Sequence, residues 1–528
     1  MLKLILNQTT WGIFGSIFGF AIGFLLKIYL INIVGLESWG KYISAQTLIT
    51  FIDILISISI PMVIIKFISK SKLIDSIGTN LLLNKIFSYS IYASIFTVFS
   101  LVFLSGIIDT KIYSNLSDFK FFIIFMSFHI PLTLFSSIIT SLFRSVLKIK
   151  EIILYGTIIN VSLRAIATFI VFMFTKNIFY FIIIELLSSF VSIMILYYVF
   201  HKKVFNFNFA ITHDFSISNE IVSYGKKIYL NSLLVFFSGK SLAIIVSLFL
   251  EPKLIGVYSI FLTITGVSMF LNKNLRKVFS PAVAQIYENK DFSLLNNLYK
   301  ETTFLINFLT IPISIIIIYF SNNIVYLFDK TEFINEYIFL LHILILTRVI
   351  SLLFGNTGVY MLMAGLEKND LYIQIFKTFF TILLSILLIK DYQLNAIVLI
   401  FFISNLFVNL MQFIFIYKKL NINPVEYFHV DSKDLYDWSR KIIEKYDIEH
   451  VREKVDTIEQ YSKIEIKTND NQYFSEWVFD SRPPNFKNFT DNQFNISQSF
   501  FGLKVKLNEK VLNPDVYHMM DFRITQQK

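Results

Sequence analysis

The chain has no cysteine among its 528 residues. That excludes disulfides, thiolate metal sites and thiol nucleophiles, and leaves the redox compartment open. Charge is scarce too. Asp, Glu, Lys and Arg make up 16% of the residues, against about 25% in a soluble domain. Several chemical signatures are also missing: no Walker lysine loop, no GxGxxG, no HExxH and no nucleophilic serine elbow. The chain therefore carries no recognisable ATPase or hydrolase, and no cofactor is expected. Any work it does must draw on an ion gradient, on substrate supply or on downstream consumption.

Apolar residues fill the gap: they make up 55% of the chain, with 59 Phe and a mean hydropathy of +0.63. Charge this sparse over this length implies an integral membrane protein whose Phe and Ile face lipid. The net charge of +10 then reflects cytoplasmic loops and attraction to anionic lipids, not nucleic acid. The apolar run from Trp11 is too long for a signal peptide and lacks a small-residue cleavage site, so a retained first span is expected.

Runs long enough to cross a bilayer fall at about 11–31, 42–65, 86–107, 119–143, 152–174 and 178–200. A second set falls at about 228–250, 255–275, 303–327, 335–363, 370–390 and 394–418. The expected architecture is an all-α polytopic membrane protein of about twelve transmembrane helices. Residues 1–200 form one six-helix bundle, 201–227 a cytoplasmic connector and 228–420 a second six-helix bundle, with a central cavity between the bundles. Lys and Arg are unevenly shared between alternate loops, roughly 17 against 7. The richer side is cytoplasmic by the positive-inside rule, and both termini are expected there. Residues 276–301 are amphipathic and are expected to lie along the inner membrane surface. Residues 421–528 are charged and read as a small α/β cytoplasmic tail. A helix is expected over Asp431–Glu449, with strands over Tyr461–Ile466 and Trp477–Phe479.

Features of the first half recur in the second. Gly40 and Tyr42 match Gly256 and Tyr258, and Leu147-Lys148-Ile149-Lys150-Glu151 answers Leu366-Glu367-Lys368-Asn369-Asp370. The offset holds at roughly 216–220 residues, as two repeated halves would give.

Charges inside spans are costly, about 2.5–3.5 kcal/mol each at the bilayer centre, so each one asks for a reason. Lys27, Arg164, Lys240, Arg348 and Lys377 fall within spans, as do Asp53 and Glu185, while Lys273 and Arg276 sit near the inner mouth. The functional reading is a wet, positively walled cavity that draws a phosphate or pyrophosphate headgroup, with Arg offering forked donors and Lys a point charge. The plainer readings differ by residue. Lys27 and Lys377 could snorkel to an interface. Arg164 and Glu185 could pair with each other. Asp53 could couple to a proton or sodium ion, or could neutralise Lys27. Gly15, Gly19 and Gly23 lie on one stripe suited to close helix packing. His129-Ile130-Pro131 and Pro312 are candidate kinks. Asn405, Asn409 and Gln412 read as packing hydrogen bonds.

The stretch Leu250-Glu251-Pro252-Lys253-Leu254-Ile255-Gly256-Val257-Tyr258 is followed by Ser280-Pro281-Ala282, Val325-Tyr326-Leu327-Phe328 and Leu362-Met363-Ala364-Gly365-Leu366-Glu367. With Gly40-Lys41-Tyr42, these resemble the polysaccharide (O-antigen-type) flippases of the multidrug/oligosaccharidyl-lipid/polysaccharide exporter superfamily, over residues 1 to about 420. The resemblance implies two six-helix bundles that alternate between inward- and outward-open. It also implies a non-enzymatic transporter that moves undecaprenyl-pyrophosphate-linked oligosaccharide to the outer leaflet of a bacterial inner membrane. The partners implied are a polyprenyl-pyrophosphate glycolipid, anionic lipids and the polysaccharide polymerase machinery. Many members carry an acid in span 7; here Ser238-Gly239-Lys240 stands instead, which favours a cargo-binding role for Lys240. A small-molecule or ion antiporter on the same fold is the nearest alternative.

The tail resembles another family. Trp477-Val478-Phe479-Asp480-Ser481-Arg482-Pro483, Gln498-Ser499-Phe500-Phe501-Gly502 and Met520-Asp521-Phe522-Arg523 are similar to blocks of lycopene cyclase-type flavoproteins, in that family's order. The resemblance would make the chain a membrane-tethered flavoprotein. However, the Gly-rich loop that would receive FAD is not found, so no cyclase activity is expected from this chain alone.

Overall fold

A computed structural model describes residues 2–57, 60–68, 76–146, 148–205, 209–214, 216, 218–330, 332–420, 422, 493–499, 502–505 and 525–527. It divides into two units, one of Leu4–Pro424 and one of Met1–Lys3 with Val425–Lys528. The first is nearly all helix. The second contributes a three-stranded antiparallel sheet in the order β2-β1-β3, with β1 Gln493–Ser499, β2 Gly502–Val505 and β3 Thr525–Gln527. The tail helix and strands expected at 431–449, 461–466 and 477–479 lie outside the described residues.

Among the described residues, ten continuous helical stretches are long and apolar enough to cross a membrane. Two of them are double. Thr10–Ser57 has 48 residues and Glu367–Leu420 has 54. At about 1.5 Å per residue each is more than twice the roughly 30 Å of a bilayer core. Each is broken by one non-helical residue. Helix α1 (Leu2–Ser57) breaks at Gly35, φ 79°, where a residue without Cβ turns the chain at little cost. Helix α15 (Glu367–Leu420) breaks at Gln393, φ 46°.

The first half continues with α2 (Ile60–Phe67), α3 (Ser76–Ile107), α4 (Phe119–Ser127) and α5 (His129–Ser145). Then come α6 (Ile149–Glu151), running through a π-helical stretch into α7 (Ile159–Phe172), and α8 (Ile178–Lys203). The break between α4 and α5 at Phe128 falls where the His129-Ile130-Pro131 signal placed a kink. The second half has α9 (Asn219–Phe249), α10 (Pro252–Glu288), α11 (Phe292–Tyr319) and α12 (Ser321–Phe328). It ends with α13 (Ile338–Leu353), α14 (Thr357–Met363) and α15. Pro312 is absorbed inside α11. Helices α3, α4, α5, α7 and α8 pack among themselves, and so do α9, α10, α11, α13, α14 and α15; α2 touches both sets.

Residues 276–301 do not form one surface helix. Helix α10 has 37 residues, about 55 Å of helix, so it leaves the membrane still helical. It then turns at Asn289-Lys290-Asp291, and the Asp291 carboxylate accepts from the Leu294 amide at 3.0 Å to start α11. The segment is the tip of a helical hairpin.

One apolar core joins the halves at the end that carries the turns near Gly35 and Glu251. It includes Leu30, Leu36, Trp39 and Tyr42 with Leu250, Leu254, Tyr258, Val325 and Phe328. A second core at the opposite end is built from first-half residues alone, among them Ile64, Leu83, Phe87, Leu142, Phe143 and Phe200. The connector is tied to α3. Lys85 pairs with Asp214 at 2.7 Å and donates to Ser216. The Thr212 and Ala210 amides donate to Ser88 and Asn84. His213 lies against Tyr92. The Asp214 carboxyl is held well below the usual carboxylate range, by its bond from Lys85 first and then by Ser216.

Candidate functional site

Six cations converge at membrane depth or just inside it. Lys27 on α1 donates to Thr263 on α10 at 3.0 Å and lies within electrostatic reach of Lys240 on α9. Lys273 on α10 is in reach of Arg348, Lys240 and Arg276. Arg348 on α13 is in reach of Arg276 and Tyr258, and sits 4.7 Å over the Phe401 ring. Lys377 on α15 is in reach of Arg348 and donates to the Ser238 carbonyl at 3.0 Å. Arg276 donates to Asn356 at 2.8 Å.

Lys240, Lys273 and Arg276 are exposed and the other three are half-buried. Among the described residues none of the six forms an ion pair. Two unit charges 4 Å apart repel by about 4 kcal/mol even at an effective dielectric of about 20. Six cations arrive from five helices with no ion pair among the described residues, and Asp370 lies in electrostatic reach of Lys377, so the remaining charge needs water or an anionic ligand between the side chains.

Arg164 is not in this group. Its guanidinium is 2.7 Å from Glu185, which also accepts from the Tyr42 hydroxyl at 2.8 Å. Arg164 also donates to Asn160 at 3.2 Å, and His129 lies 3.6 Å from Glu185. This first-half network is electrically balanced. Asp53 stands close by, accepting from Thr133 at 2.8 Å, one helical turn after His129 on α5.

A further polar network went unread in the sequence. Gln412 donates to the buried Asp370 at 2.6 Å and accepts from Thr357 at 2.7 Å. Gln374 also donates to Asp370, and Ser238 donates to Gln374 at 2.6 Å. Asp370 lies at the start of a span and reads as a loop acid in the sequence. Gln412, in mid-span, was its one visible signal. The glycine stripe packs on the π-helical stretch: a side chain at Gly15 would collide with Ile153, and one at Gly19 would touch Thr157 at 3.4 Å, while Gly23 has nothing within 4 Å.

The fold is shared with solved transporters of the MOP superfamily. Similar solved structures include an outward-facing multidrug resistance MATE family transporter (15% identity, TM-score 0.53, covering 80% of this chain and 98% of that one). An inward-facing MATE family transporter matches at 16% and TM-score 0.54, covering 75% and 98%. A MOP superfamily transporter from Pyrococcus furiosus, described as having a binding pocket of reversed polarity, matches at 16% and TM-score 0.51, covering 80% and 96%. The sequence profile of a family described as polysaccharide biosynthesis protein matches residues 30–329, and the chain belongs to that family. Residues 414–528 match a second profile, lycopene cyclase protein. No curated protein matches the chain.

Proposed function

We propose that this transporter flips an undecaprenyl-pyrophosphate-linked oligosaccharide from the inner to the outer leaflet for surface polysaccharide export. In this reading twelve crossings form two six-helix bundles in a bacterial inner membrane, with both termini cytoplasmic. The bundles are residues 1–200 and 228–420, joined by the connector 201–227, and they enclose a central cavity that opens to each side in turn. Residues 421–528 are a soluble appendage. The observation that supports the reading best is the convergence of Lys27, Lys240, Lys273, Arg276, Arg348 and Lys377 without a paired carboxylate. A pyrophosphate headgroup supplies the missing negative charge, and Arg348 and Arg276 offer it forked donors. Arg164 holds Glu185 and orders the first bundle instead of meeting cargo. Asp53, bonded only by Thr133 among the described residues, is the better placed of the two acids to exchange a coupling ion. The polyprenyl tail stays in lipid, which is why the site needs to enclose only the head.

The test replaces Arg348 or Lys240 with Ala in the producing cell. The expected result is loss of surface glycan with unchanged drug tolerance. Normal glycan with raised drug sensitivity would favour the antiporter on the same fold. The tail is tested by absorbance of the purified protein, where a bound flavin spectrum would make it a flavoprotein.

A further inference from the structure

The two halves meet at one end through their backbones. The second arm of α1 starts after Gly35, and α10 starts at Pro252. Leu36 and Pro252 hold equivalent places in the two repeats, as do Gly40 and Gly256. A side chain at Gly40 would collide with the Pro252 carbonyl, and a Cβ at Gly256 would sit 2.6 Å from the Leu36 carbonyl oxygen. Each glycine therefore rests on the first residue of the opposite helix. The contact is reciprocal in the way a two-fold interface is. Its partners are backbone atoms, which cannot swing aside as a flexible side chain can.

Other bonds cross between the halves at the same end. Trp39 donates to Ser259 at 2.8 Å. Asn32 donates to the Leu327 carbonyl and Asn115 to the Leu250 carbonyl, both at 2.5 Å. The apolar core that spans both halves lies here too, while Lys273 and Arg276 are exposed farther along α10 from Pro252.

We infer that Gly40 and Gly256 are the gate on the outer side: two matched glycine-on-carbonyl contacts that must part before the cationic cavity can face outward. The small side is required at both positions, because any Cβ wedges the seam. This rests on the alternating-access part of the proposed function and not on the identity of the cargo.

The absence of cysteine gives a clean background for the test. Ser44 is fully buried one turn after Gly40, and its hydroxyl donates back to the Gly40 carbonyl at 3.0 Å. Ser44→Cys is a near-isosteric reporter on that face of α1. In intact cells a membrane-impermeant maleimide is expected to label it slowly. Adding Gly40→Ala or Gly256→Ala is expected to raise the rate about ten-fold, because the wedged seam populates the parted state. Unchanged labelling with both variants present at parental level in the membrane would overturn the gate, as would a rise seen only in inverted vesicles. If neither variant accumulates, Trp39→Phe carries the test, since it keeps both glycines while removing the bond to Ser259 and part of the ring stacked on Tyr42. Faster labelling sustains the gate, and an unchanged rate overturns it. Surface glycan is measured alongside. Glycan that survives Arg348→Ala while the glycine variants label faster would sink the cargo and leave the gate standing.

Discussion

The two halves place the same tyrosine in opposite electrical settings. In the first, Tyr42 donates to Glu185, which Arg164 also holds, so the buried charge is balanced. In the second, the matching Tyr258 lies near Arg348, and among the described residues no carboxylate pairs with that guanidinium. His129 and Arg348 stand on corresponding helices at an offset within the repeat's range. A duplicated scaffold has thus kept its outline while the polar residues at one address diverged. The balanced half holds its shape by internal pairing. The unbalanced half is left with positive charge that no ion pair among the described residues offsets, and the proposed function assigns that charge to an anionic headgroup.

Breaking the balanced side should have the largest effect. Arg164→Ala strands a buried Glu185, and loss of about 3–5 kcal/mol of stability is expected. The thermal unfolding of the detergent-solubilised protein measures it. Replacing both residues with Met should recover most of that loss, because no lone charge remains. If the single variant is as stable as the parent, the contrast between the halves fails. On the unbalanced side, Arg348→Ala should leave the unfolding temperature unchanged or higher, since it relieves repulsion. Its cost falls on cargo: about 1.5–3 kcal/mol of lost charge-assisted bonding, ten- to a hundred-fold in affinity for an undecaprenyl pyrophosphate probe. Next comes Gln412→Leu, which removes a donor from buried Asp370 and should cost about 1–3 kcal/mol of stability. The smallest effect is at the connector. Asp214 titrates below an ordinary carboxylate, so the contribution of its tie to Lys85 is complete above pH of about 4 and is lost as the pH falls below that. The hydrogen-exchange protection factors of amides 210–214, taken against the intrinsic exchange rate at each pH, should fall on acidification, and Asp214→Asn should make them insensitive to pH.

Much of the fold was legible because hydropathy and repetition are local or strictly periodic signals. The apolar runs, the offset that pairs Gly40 with Gly256, and the break at His129-Ile130-Pro131 all depend on residues near in sequence or at one fixed spacing. What escaped depends on how each helix is rotated. Arg164 and Arg348 look alike in sequence, each a guanidinium in an apolar run, and an Arg164–Glu185 pair is one of two readings the sequence leaves open. Only packing shows that one faces Glu185 across 21 positions of chain, while the other faces Lys273, Lys377 and Arg276. Asp370 was hidden by standing at a span's end, where acids are ordinarily solvated. The hairpin at 276–301 was misread because an amphipathic stretch looks the same whether it lies on a membrane or projects from it.

The strapping of residues 210–216 to α3 has a mechanical consequence. A tilt of α3 therefore drags residues 210–214 with it, so the first-half helices and this part of the connector turn as one piece.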